Sequence, residues 1–190
     1  MKNVLFLSGS QRKDSFNRRL LNNLAKRIEG KVVIDMVKSG EVDFPLFDQD
    51  MEFNPEIQEN VFAFHARISS SDAMVIACPE YNGLITPFLK NTIDWVSRLQ
   101  YLNSGCANAF IDKPVLLVSA STGWSGGAVG LPSARTLFGY VGCHVMGGSI
   151  TIPNINQHIN EFEMVFNSDY ENLINFHLNR FINVLNAVSC

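Results

Sequence analysis

The segment Ser8-Gly9-Ser10-Gln11-Arg12-Lys13-Asp14-Ser15-Phe16-Asn17 gathers hydroxyls, a guanidinium and an amide just ahead of a stretch with helical periodicity. That set suits a phosphate. The first turn of a helix offers unpaired N–H donors and the positive end of a dipole, worth about 0.3–1 kcal/mol toward an exposed anion, and an arginine adds charge-assisted bonds. Ser10, Arg12, Ser15 and Asn17 are the expected ligands. Neither G-x-G-x-x-G nor GK[ST] is present, so a dinucleotide or a nucleoside triphosphate fits poorly and a single phosphate fits better. The plainer alternative is that Ser15 only caps the helix and its neighbours form a solvated turn.

Two further loops have the composition to hold a flat heterocycle. Pro79-Glu80-Tyr81-Asn82-Gly83 leaves an apolar run and supplies a ring, an amide and a glycine; read plainly, it is an Asn-Gly turn. Ser119-Ala120-Ser121-Thr122-Gly123-Trp124-Ser125-Gly126-Gly127 is small and flexible by composition, which lets backbone donors approach a ligand; read plainly, it is a mobile glycine connection. Other groups point to no second chemistry. Cys78, Cys106, Cys143 and Cys190 are scattered without a CxxC pair, so reduced thiols are expected rather than a disulfide framework or a metal site. His65 and His177 fall on apolar helix faces as packing histidines. His144 and His158 have no partner visible in the sequence. Phe44, Phe47, Phe53 and Trp124 are read first as core or interface and second as an acceptor pocket, and Lys90 and Asp94 as an i,i+4 surface pair.

The elements that must position these loops follow from the apolar pattern. Val4–Leu7, Val32–Val37, Ala73–Cys78, Val115–Val118 and His144–Ile152 read as buried strands. Phe16, Leu20, Leu24 and Ile28 recur at helical spacing, as do Ile57, Val61, His65 and Ile68 behind the cap Asn54-Pro55, and Leu89, Ile93, Val96 and Leu99 behind Thr86-Pro87. Ala134–Val141 and a final helix marked by Leu173, His177, Phe181, Val184 and Val188 complete the alternation. Five strand–helix units imply a doubly wound parallel sheet with helices on both faces, in one domain over residues 1–190. In such sheets ligands lie beyond the carboxyl ends of the strands where strand order reverses, which brings the three loops together.

With 190 residues, 46% hydrophobic and 17% charged, the chain has a globular composition, and its net charge of −3 gives no basic field for nucleic acid or an anionic membrane. No apolar stretch has the length of a signal core or a membrane span, so a cytoplasmic protein is expected.

At the three loops the sequence resembles the NADPH-dependent FMN reductase family, flavodoxin-like quinone, chromate and azo-dye reductases. The family's G-S-x-R-x-x-S-x-N stands as Gly9 to Asn17, its P-E-Y-N as Pro79 to Asn82, followed by Pro87, Leu89-Lys90-Asn91 and Ile93-Asp94-Trp95, and its Ser-rich loop with paired glycines as Ser119 to Gly127. The resemblance implies a five-stranded sheet of order 2-1-3-4-5 and an FMN cofactor. It places the phosphate at Ser10, Arg12, Ser15, Phe16 and Asn17, and the ring against Pro79, Glu80, Tyr81, Asn82, Gly83, Ser119, Ser121 and Gly123. It also implies NADPH or NADH as donor, a quinone or similar small acceptor, alternating donor and acceptor in a ping-pong cycle, and no metal. A non-enzymatic FMN electron carrier or regulatory flavoprotein is the alternative. By the same resemblance Arg98 lies near the flavin across a subunit contact and Arg135 matches a helix arginine. Trp95 and Leu99, beside the second loop, suit a subunit contact that closes the flavin pocket, so a homodimer or homotetramer is expected, with Trp124 at a substrate or subunit contact. Departures from the family pattern are Thr86-Pro87, Thr122, and Ala128-Val129 with Pro132.

Overall fold

Strand residues of this chain are apolar on both sides of the pleat, so each strand can be buried only between two layers of helix. The computed structural model, which describes residues 1–102, 105–160 and 163–187, shows that arrangement. The strands are β1 (Asn3–Ser8), β2 (Val33–Met36), β3 (Ala73–Ala77), a short hairpin pair β4 (Glu80–Tyr81) and β5 (Leu84–Ile85), β6 (Pro114–Ala120) and β7 (His144–Ile152). The helices are α1 (Phe16–Ile28), α2 (Pro55–Ser69), α3 (Pro87–Leu102), α4 (Leu131–Tyr140) and α5 (Ser168–Ala187). β2-β1-β3-β6-β7 form one parallel sheet of five strands, which in order of sheet strands along the chain is the expected 2-1-3-4-5.

The pleat divides the core in two. Val4, Phe6, Val75, Ala77, Leu116 and Val118 face α1 and α5, where Leu20, Leu24, Ile174 and Phe181 cover them. Leu5, Leu7, Met74, Ile76, Val115 and Leu117 face α2, α3 and α4, met by Phe64, Ile68, Leu89, Ile93 and Phe138. Asn54 caps α2 as expected, accepting from the Glu56 and Ile57 N–H groups. The last helix is phased differently from its sequence reading: the buried stripe is Ile174, His177, Leu178, Phe181 and Leu185, while Leu173 and Val184 are half-buried. Val188 and Cys190 lie outside the described residues.

β7 carries an irregularity: its register against β6 jumps between Val115–Val145 and Leu117–Ser149. The excess takes up Gly147 and Gly148, and a Cβ at Gly148 would stand 2.1 Å from the His177 ring. His177 is therefore a packing histidine lodged against a glycine, as its apolar spacing suggests.

Two expectations fail here. Trp95 and Leu99 are buried in their own chain, at 3% and 2% exposure, so neither reaches a subunit contact. Trp95 instead donates its indole N–H to the Pro45 carbonyl (2.7 Å) and packs edge-on against Phe47. Residues 43–53 form a strap laid along α3: Asn91 bonds the Phe47 N–H and the Phe44 and Pro45 carbonyls, and Arg98 pairs with buried Glu52 at 2.5 Å. Asn91, Trp95 and Arg98 sit three and four residues apart, one face of the helix. Phe44 and Phe47 belong to this packing, while Phe53 and Trp124 are exposed.

Candidate functional site

The carboxyl ends of β1, β3 and β6 open into one cleft of about 320 Å³, lined by Ser10, Arg12, Ser15, Phe16, Asn17, Pro79, Glu80, Tyr81, Ala120, Ser121 and Thr122. Each wall is fixed by a different device. The first loop turns at Gly9, whose N–H bonds the Ala77 carbonyl (2.8 Å) and whose Cα faces Pro79 so closely that a Cβ would meet its ring at 3.0 Å. Thr86 does two things: its hydroxyl donates to the Gly9 carbonyl (2.6 Å) and accepts from the Leu89 N–H, capping α3. The first loop and the start of α3 are thereby tied.

Ser15 caps α1 through the Arg18 N–H (3.3 Å), and the Ser15 carbonyl accepts from Arg19. Of the four N–H groups a helix start leaves unpaired, those of Phe16 and Asn17 keep no protein partner among the described residues. The Arg12 guanidinium likewise makes no hydrogen bond or ion pair among the described residues. A cleft with two free helix-start donors and an unengaged guanidinium has the chemistry of a phosphate site.

Asn17 lines the cleft and also has a structural task that its sequence position does not show. It is 5% exposed; its Nδ2 donates to the Ala120 carbonyl (2.8 Å) and its Oδ1 accepts from the Ala120 N–H (3.0 Å). The side chain thus pairs like a peptide with the end of β6, joining the phosphate wall to the third loop. The amide keeps one hydrogen and one lone pair beyond these two bonds.

The second wall is the hairpin β4–β5, paired Glu80 with Ile85 and Tyr81 with Leu84. Asn82 (φ 53°) and Gly83 (φ 79°) make its two-residue turn in the left-handed region, as an Asn-Gly pair favours. Glu80 accepts from the Gly130 N–H at the start of α4 (2.8 Å), and the Ile85 N–H donates to Ser133 (3.3 Å). The acid is an anchor for the hairpin, satisfying a donor that Gly130 cannot cap itself. Beneath it, complete burial pushes the Cys78 thiol far above its ordinary range, so this cysteine is no nucleophile.

The third loop is held, where composition suggested mobility. Ser121 exchanges bonds with Ile152 and Ile155, and the Gly123 carbonyl accepts from Asn154. Gly126 and Gly127 adopt φ of 61° and 87°, and a Cβ on Gly127 would lie 2.0 Å from the Ser119 hydroxyl. The glycine pair lets the chain pass over Ser119, which is wholly buried and donates to the Cys78 carbonyl (2.7 Å).

Of the residues singled out in the sequence, Ser10, Arg12, Ser15, Phe16, Asn17, Pro79, Glu80, Tyr81 and Ser121 line the cleft; Asn82, Gly83, Ser119 and Gly123 do not, though they belong to the same loops. Arg98 lies on the strap, against Glu52 and the Tyr101 ring, and Trp124 is exposed outside the cleft. Arg135 donates to the Met146 carbonyl (2.6 Å). Ala120 and Thr122, inside the Ser119 to Gly123 stretch expected at the ring, line the cleft as well. The Thr122 N–H has no protein hydrogen-bond partner among the described residues, a property of loop path that no side-chain pattern signals. Larger recesses exist, of about 450 Å³ beside α1 and about 770 Å³ between α3 and α4, but neither gathers the loops at the strand ends. Among the described residues no group of three or more His, Cys, Asp or Glu is placed to hold a metal.

A family model described as NADPH-dependent FMN reductase matches residues 2–157. The NAD(P)H:quinone oxidoreductase of Solanum tuberosum is 36% identical over 130 residues, covering 65% of this chain and 61% of that protein. The quinone reductase of Escherichia coli (strain K12) is 36% identical over 125 residues, covering 66% and 63%. The chain thus spans less than two thirds of these relatives' length. Among solved structures, FerB, a flavoenzyme NAD(P)H:(acceptor) oxidoreductase from Paracoccus denitrificans, superposes over 98% of both chains with a TM-score of 0.84 at 24% identity, a shared flavodoxin-like fold.

Proposed function

The chain belongs to the NADPH-dependent FMN reductase family, and from that premise we propose that it is an FMN-dependent NAD(P)H oxidoreductase acting on a quinone or a related azo or chromate-type acceptor. The observation that carries the reading is the convergence of an unengaged Arg12, two free helix-start N–H groups and an aromatic hairpin on one cleft at the strand ends.

The donor set fits FMN. Arg12, Ser10 and the Phe16 and Asn17 N–H groups hold the phosphate, with Ser15 setting the helix start they depend on. Tyr81 and the Pro79–Gly83 hairpin bear on the ring from one side and Ser121 with the Thr122 N–H from the other, Ser119 and Gly123 supporting them from behind. When bound, FMN supplies the two-electron chemistry between nicotinamide donor and acceptor. The chain's own part is to bind, orient and hold dipoles still: Glu80 fixes the hairpin through Gly130, and Asn17 fixes the third loop through Ala120. No side chain in the cleft is required as a nucleophile, and Cys78 is kept protonated by burial.

The reading includes a cytoplasmic homodimer or homotetramer with one small-molecule acceptor site and alternating donor and acceptor. Its support is that no helix of the described residues is long and apolar enough to cross a membrane, and that Leu84, Leu137 and Tyr140 line an open apolar groove of about 770 Å³ beside the hairpin. Light scattering that finds monomer alone at micromolar concentration would remove the oligomer. The test of function is anaerobic: protein loaded with FMN is mixed with NADPH, then with benzoquinone. Bleaching of the flavin band followed by its return is expected; a band that stays oxidised through the first mixing leaves an electron carrier instead.

A further inference from the structure

Charge is spread unevenly along this chain. Residues 1–38 hold nine Lys and Arg against three Asp and Glu, while residues 41–59 hold seven acids and no Lys or Arg. The net charge of −3 therefore conceals two fields of opposite sign. The acidic stretch runs through the strap into the start of α2, on the α2–α3 side of the sheet, where Arg67 and Arg98 hold Glu41 and Glu52. The basic stretch is α1 and the segments at its two ends, on the other side.

On α1, Arg18, Arg19, Asn22 and Lys26 lie three and four residues apart, along one flank of the helix. Two recesses adjoin that flank, of about 450 and 370 Å³, and they share Asn22 and Met36, so together they form one trough between α1 and β2. Met36 and Ala25 add apolar surface to it. Glu163 is the one acid that lines it, and Arg19 approaches Asp14 only to 4.0 Å. The side chains of Lys13, Lys26 and Lys38 form no ion pair among the described residues. Arg18 donates to the Ser10 and Val37 carbonyls alone, and its buried Nε has no partner.

The facing wall of the trough is a sheet edge, because β2 pairs with β1 on one side and with no strand on the other. Val33 and Val37 donate their N–H groups to the Lys2 and Phe6 carbonyls (2.8 and 3.0 Å), so the alternate residues Ile34 and Met36 turn their backbone groups away from β1. Arg67 takes the Met36 carbonyl (3.0 Å). The Ile34 N–H and carbonyl and the Met36 N–H have no protein partner among the described residues. An edge left open in this way is a template for one more strand. The dimensions match: the 13 residues of α1 run about 20 Å, the span of about six extended residues, and alternate side chains of a strand recur about every 6.7 Å against about 6 Å between helix positions four apart.

We propose that the trough between α1 and β2 is a docking site for an acidic segment of a partner protein, which adds to the β2 edge as a strand and sets carboxylates at alternate positions against Arg19, Lys26 and Lys38. A polypeptide suits both walls. A nucleic acid strand or a lipid surface would meet the cations and leave the edge groups unpaired, and a second copy paired edge to edge about an axis normal to the sheet would lay α1 against α1, cation against cation. The site lies outside the cofactor cleft and does not rest on the function proposed above.

The test is fluorescence anisotropy with a fluorescein-labelled decapeptide of alternating Glu and Thr, titrated with full-length protein saturated with FMN so that the phosphate donors at the start of α1 are occupied. The peptide is expected to bind at low salt and to weaken as salt rises. Arg19→Gln combined with Lys26→Gln, both on the open flank of α1, should reduce the affinity about tenfold or more and keep the parent's urea midpoint. Methylating the peptide's backbone nitrogens at the Glu positions or at the Thr positions should separate the walls: one series is expected to bind at least about tenfold more weakly than the parent peptide and the other to match it. No binding at low salt, an affinity indifferent to the double variant, or two methylated series that both bind like the parent peptide would overturn the proposal. So would a decameric oligothymidylate that binds as tightly as the peptide, phosphatidylserine vesicles that capture the parent and not the double variant, or light scattering that finds a salt-sensitive dimer which the double variant loses.

Discussion

Asn17 was readable as a cleft residue, but not as the tie that it also makes. A sequence shows an amide at the start of a helix; it does not show that both ends of that amide are used, 103 residues along the chain, by one peptide unit of Ala120. Its removal should therefore act on two quantities together. Asn17→Ala leaves the buried Ala120 N–H and carbonyl unsatisfied, which costs about 1–3 kcal/mol, and it loosens the third loop. Urea denaturation of the apoprotein should show the loss before any flavin is added; an apoprotein of unchanged stability would return Asn17 to the role of simple phosphate ligand. Arg12 also lies in the cleft where the sequence put it, since an arginine in a short polar loop has few structural duties.

At the scale of elements, helix starts and strand runs were legible because Ser15, Asn54, Thr86 and the apolar runs declare themselves locally. The strap was not. Residues 43–53 have no period, and the reason Asn91, Trp95 and Arg98 recur on α3 is a tertiary one: they tie that strap down. Trp95 looked like an interface residue because a large aromatic beside a cofactor loop has two uses, and only coordinates distinguish them. Removing the far tie has a definite cost. Arg98→Ala strands the Glu52 carboxylate, which is 2% exposed, without a counter-charge. Losing one partner of a fully buried pair costs about 3–5 kcal/mol, and because the arginine is itself open to solvent a loss of about 2–3 kcal/mol is expected. Chemical denaturation should show it, with Arg98→Lys restoring part; a variant as stable as the parent would mean that Glu52 finds water once the arginine is gone.

For the whole molecule, the parallel sheet between two helix layers followed from alternation and handedness, and its strand order from the family resemblance; both are found. The phase of α5 did not follow, because Leu173, Ile174, Leu178, Val184 and Leu185 offer two overlapping apolar stripes and the sheet chooses one. That choice places His177 against Gly148, where burial first, and then Arg180, lowers its pKa. The unfolded chain protonates this histidine near its ordinary value of about 6.5, while the folded chain resists. Its contribution to stability is therefore complete above that value and is lost as pH falls below it, since the unfolded state then binds the extra proton. Between pH 7 and pH 5.5 the urea midpoint should fall, and His177→Gln should flatten that slope. An equal slope in the variant would assign the effect to other groups.

The account turns on a monophosphate bound at the start of α1, and the most direct measurement compares FMN with riboflavin, which differ only there. Titrated into apoprotein and followed by flavin fluorescence, FMN should bind at least about a hundredfold more tightly than riboflavin, and Arg12→Ala should reduce that ratio by about tenfold or more. Equal affinity for the two flavins, or an FMN affinity indifferent to Arg12, would contradict it.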